Sequence, residues 1–138
     1  MANFDNRPAA VRLLAYYKGD YNLRFTFTQS GVYSLVGASA AFTIYDKAGG
    51  TALALSGGSG LTINGAGGYI DLAMTNTQVT ALNTQEYDIE LILTLSGGTV
   101  WPAIDGALTL FESGQVDTPD TTLTTVTSKG VTITITQQ

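Results

Sequence analysis

The stretch Tyr21-Asn22-Leu23-Arg24-Phe25-Thr26-Phe27-Thr28 decides the fold. Tyr21, Leu23, Phe25 and Phe27 take every second position, and Asn22, Arg24, Thr26 and Thr28 fill the places between. Side chains along an extended chain point alternately to opposite faces, so this segment is a half-buried antiparallel strand with an aromatic inner side.

Outward from it, the same period-two pattern returns in short runs separated by glycine-rich punctuation. Strands are expected at Ala40–Asp46, Thr51–Leu55, Leu61–Asn64 and Tyr69–Met74. Lys47-Ala48-Gly49-Gly50, Gly57-Gly58-Ser59-Gly60 and Gly65-Ala66-Gly67-Gly68 read as hairpin turns, and Lys18-Gly19-Asp20 as the turn into the first strong strand. Glu86–Leu95 carries Tyr87, Ile89, Leu91, Leu93 and Leu95 on one face, and its near-continuous apolar stretch Ile89–Leu93 suits the centre of a sheet. Gly97-Gly98 turns it into Thr99–Phe111, where Pro102 and Asp105-Gly106 predict an edge position, a bulge, or a division near Gly106.

One short helix is expected near residues 75–83. Thr75 is its N-cap, Gln78 reaches back to the Thr75 amide, Met74 staples against Val79, and Asn83 ends the turn. A helix of about two turns does not persist alone, so it must be pinned across the end of the sheets. Short strands at this spacing, with one small helix, predict an all-β, immunoglobulin-like antiparallel β-sandwich.

The chain divides on this reading into an N-terminal arm, 1–10, a sandwich domain, 11–113, and a Thr-rich linker with a C-terminal strand tail, 114–138. Gln115–Asp120 is the linker. Val131, Ile133 and Ile135 then alternate with Thr132, Thr134 and Thr136. Such a strand is satisfied either by adding to a neighbouring subunit's sheet edge or by folding back onto its own sandwich.

Composition narrows function. The chain has 138 residues with no Cys and no His, so disulfides, thiolate metal sites and His-based catalytic schemes are excluded. The net charge is -5, and the cations Arg7, Arg12, Lys18, Arg24, Lys47 and Lys129 are scattered, which argues against nucleic acid as a partner. No apolar run approaches the ~20 residues of a membrane span, and the first residues lack the pattern of a signal peptide. Only 12% of residues are charged, a low value that suits a surface covered by neighbours or simply a quiet one.

No catalytic, cofactor or metal site is expected. Glu86, Asp88 and Glu90 alternate with Tyr87, Ile89 and Leu91 as a solvated stripe should. Asp46, Asp105, Asp117 and Asp120 stand in turn-forming contexts, and the glycine-rich segments lack the lysine and following helix of a phosphate loop. Among the aromatic residues, Tyr45 and Trp101 fall out of phase with the core positions of their strands. That phase points to an outer contact face, whereas the bulk of an indole favours the core or a sheet edge for Trp101. Tyr45, Trp101, Val131, Ile133 and Ile135 are the candidate interaction residues.

The order of Leu13–Asp20, Tyr21–Thr28, Ala41–Tyr45, Leu61–Ile63, Gly68–Leu72, the helix Thr75–Leu82, Tyr87–Leu91 and Gly106–Leu110 resembles the immunoglobulin-like domains of tailed-phage virion proteins, especially the N-terminal domain of baseplate upper proteins. The resemblance covers about residues 10–113 and rests on residue pattern and order. It implies a non-enzymatic building block of the virion, assembled in the host cytoplasm. Its partners would be other virion proteins or copies of itself, as a homo-oligomer on the particle. Baseplate members usually continue into a long fibrous or receptor-binding region, and this chain carries a short Thr-rich segment instead. That departure raises neck, tail-accessory and capsid-decoration roles. The alternative from another class is a carbohydrate-binding or adhesin-type module with Tyr45, Tyr69 or Trp101 as a platform.

Overall fold

The structure, a computed structural model, describes residues 9–16, 21–82, 86–111, 122–128 and 130–137. The expected turn at 18–20, the linker at 115–120 and Asn83 lie outside these residues.

The fold is all-β with one short helix. Its elements are β1 (Ala9–Tyr16), β2 (Tyr21–Thr28), β3 (Ser39–Tyr45), β4 (Thr51–Gly57), β5 (Gly60–Asn64), β6 (Tyr69–Met74), α1 (Asn76–Ala81), β7 (Glu86–Thr94), β8 (Val100–Phe111), β9 (Thr122–Ser128) and β10 (Val131–Gln137). The strands are hydrogen-bonded in the order β1-β8-β7-β3-β4-β5-β6-β2-β10-β9. This order folds on itself between β4 and β5. The Phe25 ring of β2 lies 6.3 Å from Phe42 of β3, and Phe27 meets Trp101 of β8 edge-on at 5.7 Å. The result is two five-stranded layers, β1-β8-β7-β3-β4 and β5-β6-β2-β10-β9, with their apolar sides turned inward. Their B-E-D and C-F-G strand sets, here β2-β6-β5 and β3-β7-β8, are those of an immunoglobulin-type sandwich.

Alternation dictates the core. β2 is buried at Tyr21, Leu23, Phe25 and Phe27, and β7 at Tyr87, Ile89, Leu91 and Leu93. β7 lies between β8 and β3, in the central position that its apolar run requires. Thr75 caps α1 by accepting from the Gln78 amide, while the Gln78 side chain accepts from the Thr75 amide. Val79 and Leu82 are buried beneath it and close one end of the core.

Four expectations need correction. First, residues 57–60 do not form a hairpin: β4 and β5 run parallel, pairing only Ser56 with Gly60 and Gly57 with Leu61. Reciprocal bonds between Ser56 and Ser59 tighten the kink, and the chain continues forward from one layer into the other.

Second, of the three readings of Thr99–Phe111 the bulge holds, whereas the edge position and the division near Gly106 do not. β8 is one continuous strand between β7 and β1, and its bulge falls at Ala103, where Leu91 pairs with Ile104 but Ile92 with Pro102. The extra residue reverses the phase of the strand, so Trp101 and Ala103 are buried together with Ile104, Leu108 and Leu110. Gly106 permits the parallel approach of β1, because a Cβ there would collide with the Val11 carbonyl.

Third, the boundary at residue 113 does not divide the fold. β9 and β10 form a hairpin that adds to β2, with Ile133 opposite Phe27 and Ile135 opposite Phe25. β1 pairs with β8, so the outer edge of β2 is left vacant by the N-terminal strand, and β10 fills it.

Fourth, Val131, Ile133 and Ile135 are therefore core residues of their own subunit and offer nothing to a neighbour. Trp101 is likewise removed from the contact candidates. It is 1% exposed and donates its indole N–H to Ser128 Oγ at 3.0 Å, tying β8 to β9 across the layers. β1 in turn lies against β9, which closes that flank of the sandwich.

Candidate interaction surfaces

Three surfaces differ in chemistry. The outer face of the first layer carries charge. Arg12, Ala107, Asp88 and Tyr45 share one register row across β1, β8, β7 and β3, and Glu90 faces Asp105 in the next. Glu86 pairs with Lys47 at 3.2 Å and with Arg12 at 3.5 Å, and these cations hold its carboxyl below the usual glutamate range, Lys47 most strongly. Tyr45 donates its hydroxyl to Glu90 Oε1 at 3.0 Å, and that bond raises the phenol above its ordinary range.

A shallow open groove of about 540 Å³ runs between these side chains, lined by Arg12, Tyr45, Asp88, Glu90 and Asp105 among others. Among the described residues no group of three or more acids is arranged to hold a metal ion, and no helix is long and apolar enough to cross a membrane. Glu86, Asp88 and Glu90 form the polar stripe expected of them. Tyr45 stands on the outer face, as its phase predicted.

The outer face of the second layer is a field of threonine. Thr127–Thr132–Thr28 and Thr125–Thr134–Thr26 are register rows across β9, β10 and β2. The charged residues described on this face are Arg24 and Asp71, and they cancel: Arg24 Nε donates to Asp71 Oδ1 at 2.7 Å and Nη2 to Oδ2 at 3.1 Å. The guanidinium also stacks 3.9 Å over the Tyr69 ring, so that ring is already covered on one side.

The third surface is the end of the sandwich where the loops 29–38, 65–68 and 95–99 meet. None of these loops contains Asp, Glu, Lys or Arg. Val32, Val36 and Val100 are 62%, 64% and 60% exposed there. The loops are held firmly beneath the valines. Leu35 is buried and donates its amide to the Gly65 carbonyl at 2.9 Å, Tyr33 donates its amide to Phe27 at 3.0 Å, and the Tyr33 ring lies edge-on to Trp101 at 6.0 Å. Gly65 allows the contact, since a Cβ there would stand 2.8 Å from Val36 Cα.

Sequence reasoning missed these valines. Val32 and Val36 sit in a loop without period, and only the structure brings Val100 to the same end. The missed signal was the absence of charge from three separate loops.

No protein-family description matches the chain, and no curated protein matches it. Among solved structures it is similar to CopC from Methylosinus trichosporium OB3b, with a TM-score of 0.43 and 15% identity over 79% of this chain and 90% of that one. A likeness of that extent carries no functional argument.

Proposed function

We propose that the chain is a non-enzymatic structural subunit of a bacteriophage virion, a tail, baseplate, neck or capsid-decoration component that docks end-on through its uncharged loop tip. The observation that carries this reading is the group Val32, Val36 and Val100, each at least 60% exposed, the first two on a loop without charge and the third at the start of β8, where another uncharged loop enters it. Exposed apolar groups on a rigid support mark a contact surface. Covering each of these valines yields on the order of 1 kcal/mol, and a tip with no charge to desolvate keeps that gain. The virion setting comes from the resemblance of residues 10–113 to phage immunoglobulin-like domains. Clamping by the C-terminal strand has no part in it, because that strand is spent on its own core.

The test is the variant Val32→Asp/Val36→Asp/Val100→Asp. It should fold with the wild-type melting profile and be absent from purified particles by mass spectrometry. Incorporation at the wild-type level refutes tip docking.

A second reading is favoured by one observation. Tyr45 flanks the open groove with Asp88, Glu90 and Asp105 beside it, a combination of ring and hydrogen-bonding acids that suits a carbohydrate. Glycan binding by the purified chain, lost in Tyr45→Ala, would support this module over the structural subunit.

A further inference from the structure

The two outer faces do not share the chain's charge. Arg12, Glu86, Asp88, Glu90 and Asp105 stand on the first layer, and Asp46 and Lys47 on the turn that leaves it. The second layer has the self-cancelling pair Arg24–Asp71 and otherwise Thr26, Thr28, Thr62, Thr125, Thr127, Thr132, Thr134 and Thr136, with Asn22, Asn64, Tyr69 and Ala73. The exposed face of a free-standing domain is ordinarily studded with both signs of charge. We infer that this threonine face pairs with the same face of a second copy, layer against layer about a two-fold axis.

Three arguments select a second copy as the occupant. Each copy carries -5, and of the two outer sheet faces this is the one by which two copies can meet without setting the carboxylates of β7 and β8 against each other. A threonine side chain offers a donor, an acceptor and a methyl group together, so a regular array of threonines is its own complement, as an isologous contact requires. The third argument is area. Five strands about 4.8 Å apart and about 20 Å long give a face of roughly 450 Å², so two copies bury on the order of 900 Å². That lies at the low end of specific interfaces and predicts a weak, transient dimer. The β9–β10 hairpin builds this face by widening the layer from three strands to five. The inference goes beyond the end-on docking reading and is tested without particles, so either can fail alone.

Thr134 lies within the face on β10, between Thr26 of β2 on one side and Thr125 of β9 on the other, with its side chain outward. Sedimentation equilibrium of the purified chain from micromolar to millimolar concentration should show a monomer–dimer equilibrium that added salt preserves or strengthens. Thr134→Glu should weaken it about ten-fold or more, since it buries an unpaired charge in a neutral contact. Thr134→Arg should weaken it as well, although it lowers the net charge and would strengthen any association driven by overall charge alone. Ala41→Glu, exposed on the other outer face, should leave it unchanged. A wild-type chain that stays monomeric throughout overturns the pairing. So does tighter association in Thr134→Arg, an Ala41→Glu variant that loses the dimer, or a monomer that retains a neutral polysaccharide on this face.

Discussion

The layers β1-β8-β7-β3-β4 and β5-β6-β2-β10-β9 present matching inner surfaces and contrasting outer ones. Inside, Phe42, Ile44, Leu91 and Leu93 meet Phe25, Phe27, Ile133 and Ile135 in a continuous core. Outside, one layer is lined with carboxylates around a groove and the other is neutral threonine. Stability therefore rests on both layers alike, whereas recognition cannot. A neutral face approaches another protein with little to desolvate, and a charged one must find its complement first.

The largest effect should come from removing the newest part of the inner surface. Deleting residues 122–137 strips Val131, Ile133 and Ile135 from the core, at about 1.5–3 kcal/mol each, against a total stability of roughly 5–15 kcal/mol. The truncated chain should lose its cooperative thermal transition. A truncated chain that melts like the full one would show that the hairpin is an appendage and that the layers are unequal.

Next in size, Ile133→Ala in the second layer and Leu91→Ala in the first should each cost about 2–5 kcal/mol in chemical denaturation, because both side chains are fully buried. A cost near zero for Ile133→Ala alone would break the equivalence of the inner faces. Thr75→Ala, which removes the helix cap that seals one end between them, should cost about 1 kcal/mol in the same measurement.

The smallest effect is confined to the charged face and to pH. Lys47 and Arg12 hold the folded carboxyl of Glu86 below its unfolded value, so its contribution is present above about pH 4.3, the ordinary glutamate value. It is lost as pH falls through the lowered folded value. The stability gap between wild type and Glu86→Gln should thus be open at pH 6 and narrow as the pH is lowered below the ordinary glutamate range. A gap that persists in acid would mean that Glu86 acts through packing.

The inner surfaces were largely legible in the sequence because alternation is local. Tyr21–Thr28 and Glu86–Thr94 state their buried face residue by residue, and Thr75 with Gln78 states the helix start. What failed depends on partners far away in the chain. Trp101 seemed out of phase because the bulge at Ala103, which resets the phase, is defined only by pairing with β7. Residues 57–60 have the glycines of a hairpin, and only the layer awaiting β5 shows that the chain runs on. β9 was hidden because Thr122–Ser128 has little apolar alternation and leans on β10 for its register. The vacant edge of β2 decided the fate of Val131, Ile133 and Ile135, and a vacancy has no residues to read. Of the candidate surfaces, Tyr45 and the acidic stripe were visible as strand positions, whereas the valine tip exists only where three loops converge.

The most direct test of the account is a cryo-electron-microscopy reconstruction of particles carrying the protein, read for the accessible area of Val32, Val36 and Val100. Docking by the loop tip predicts all three valines covered by another protein chain. Attachment that leaves these valines in solvent, or particles that lack the chain altogether, would contradict it.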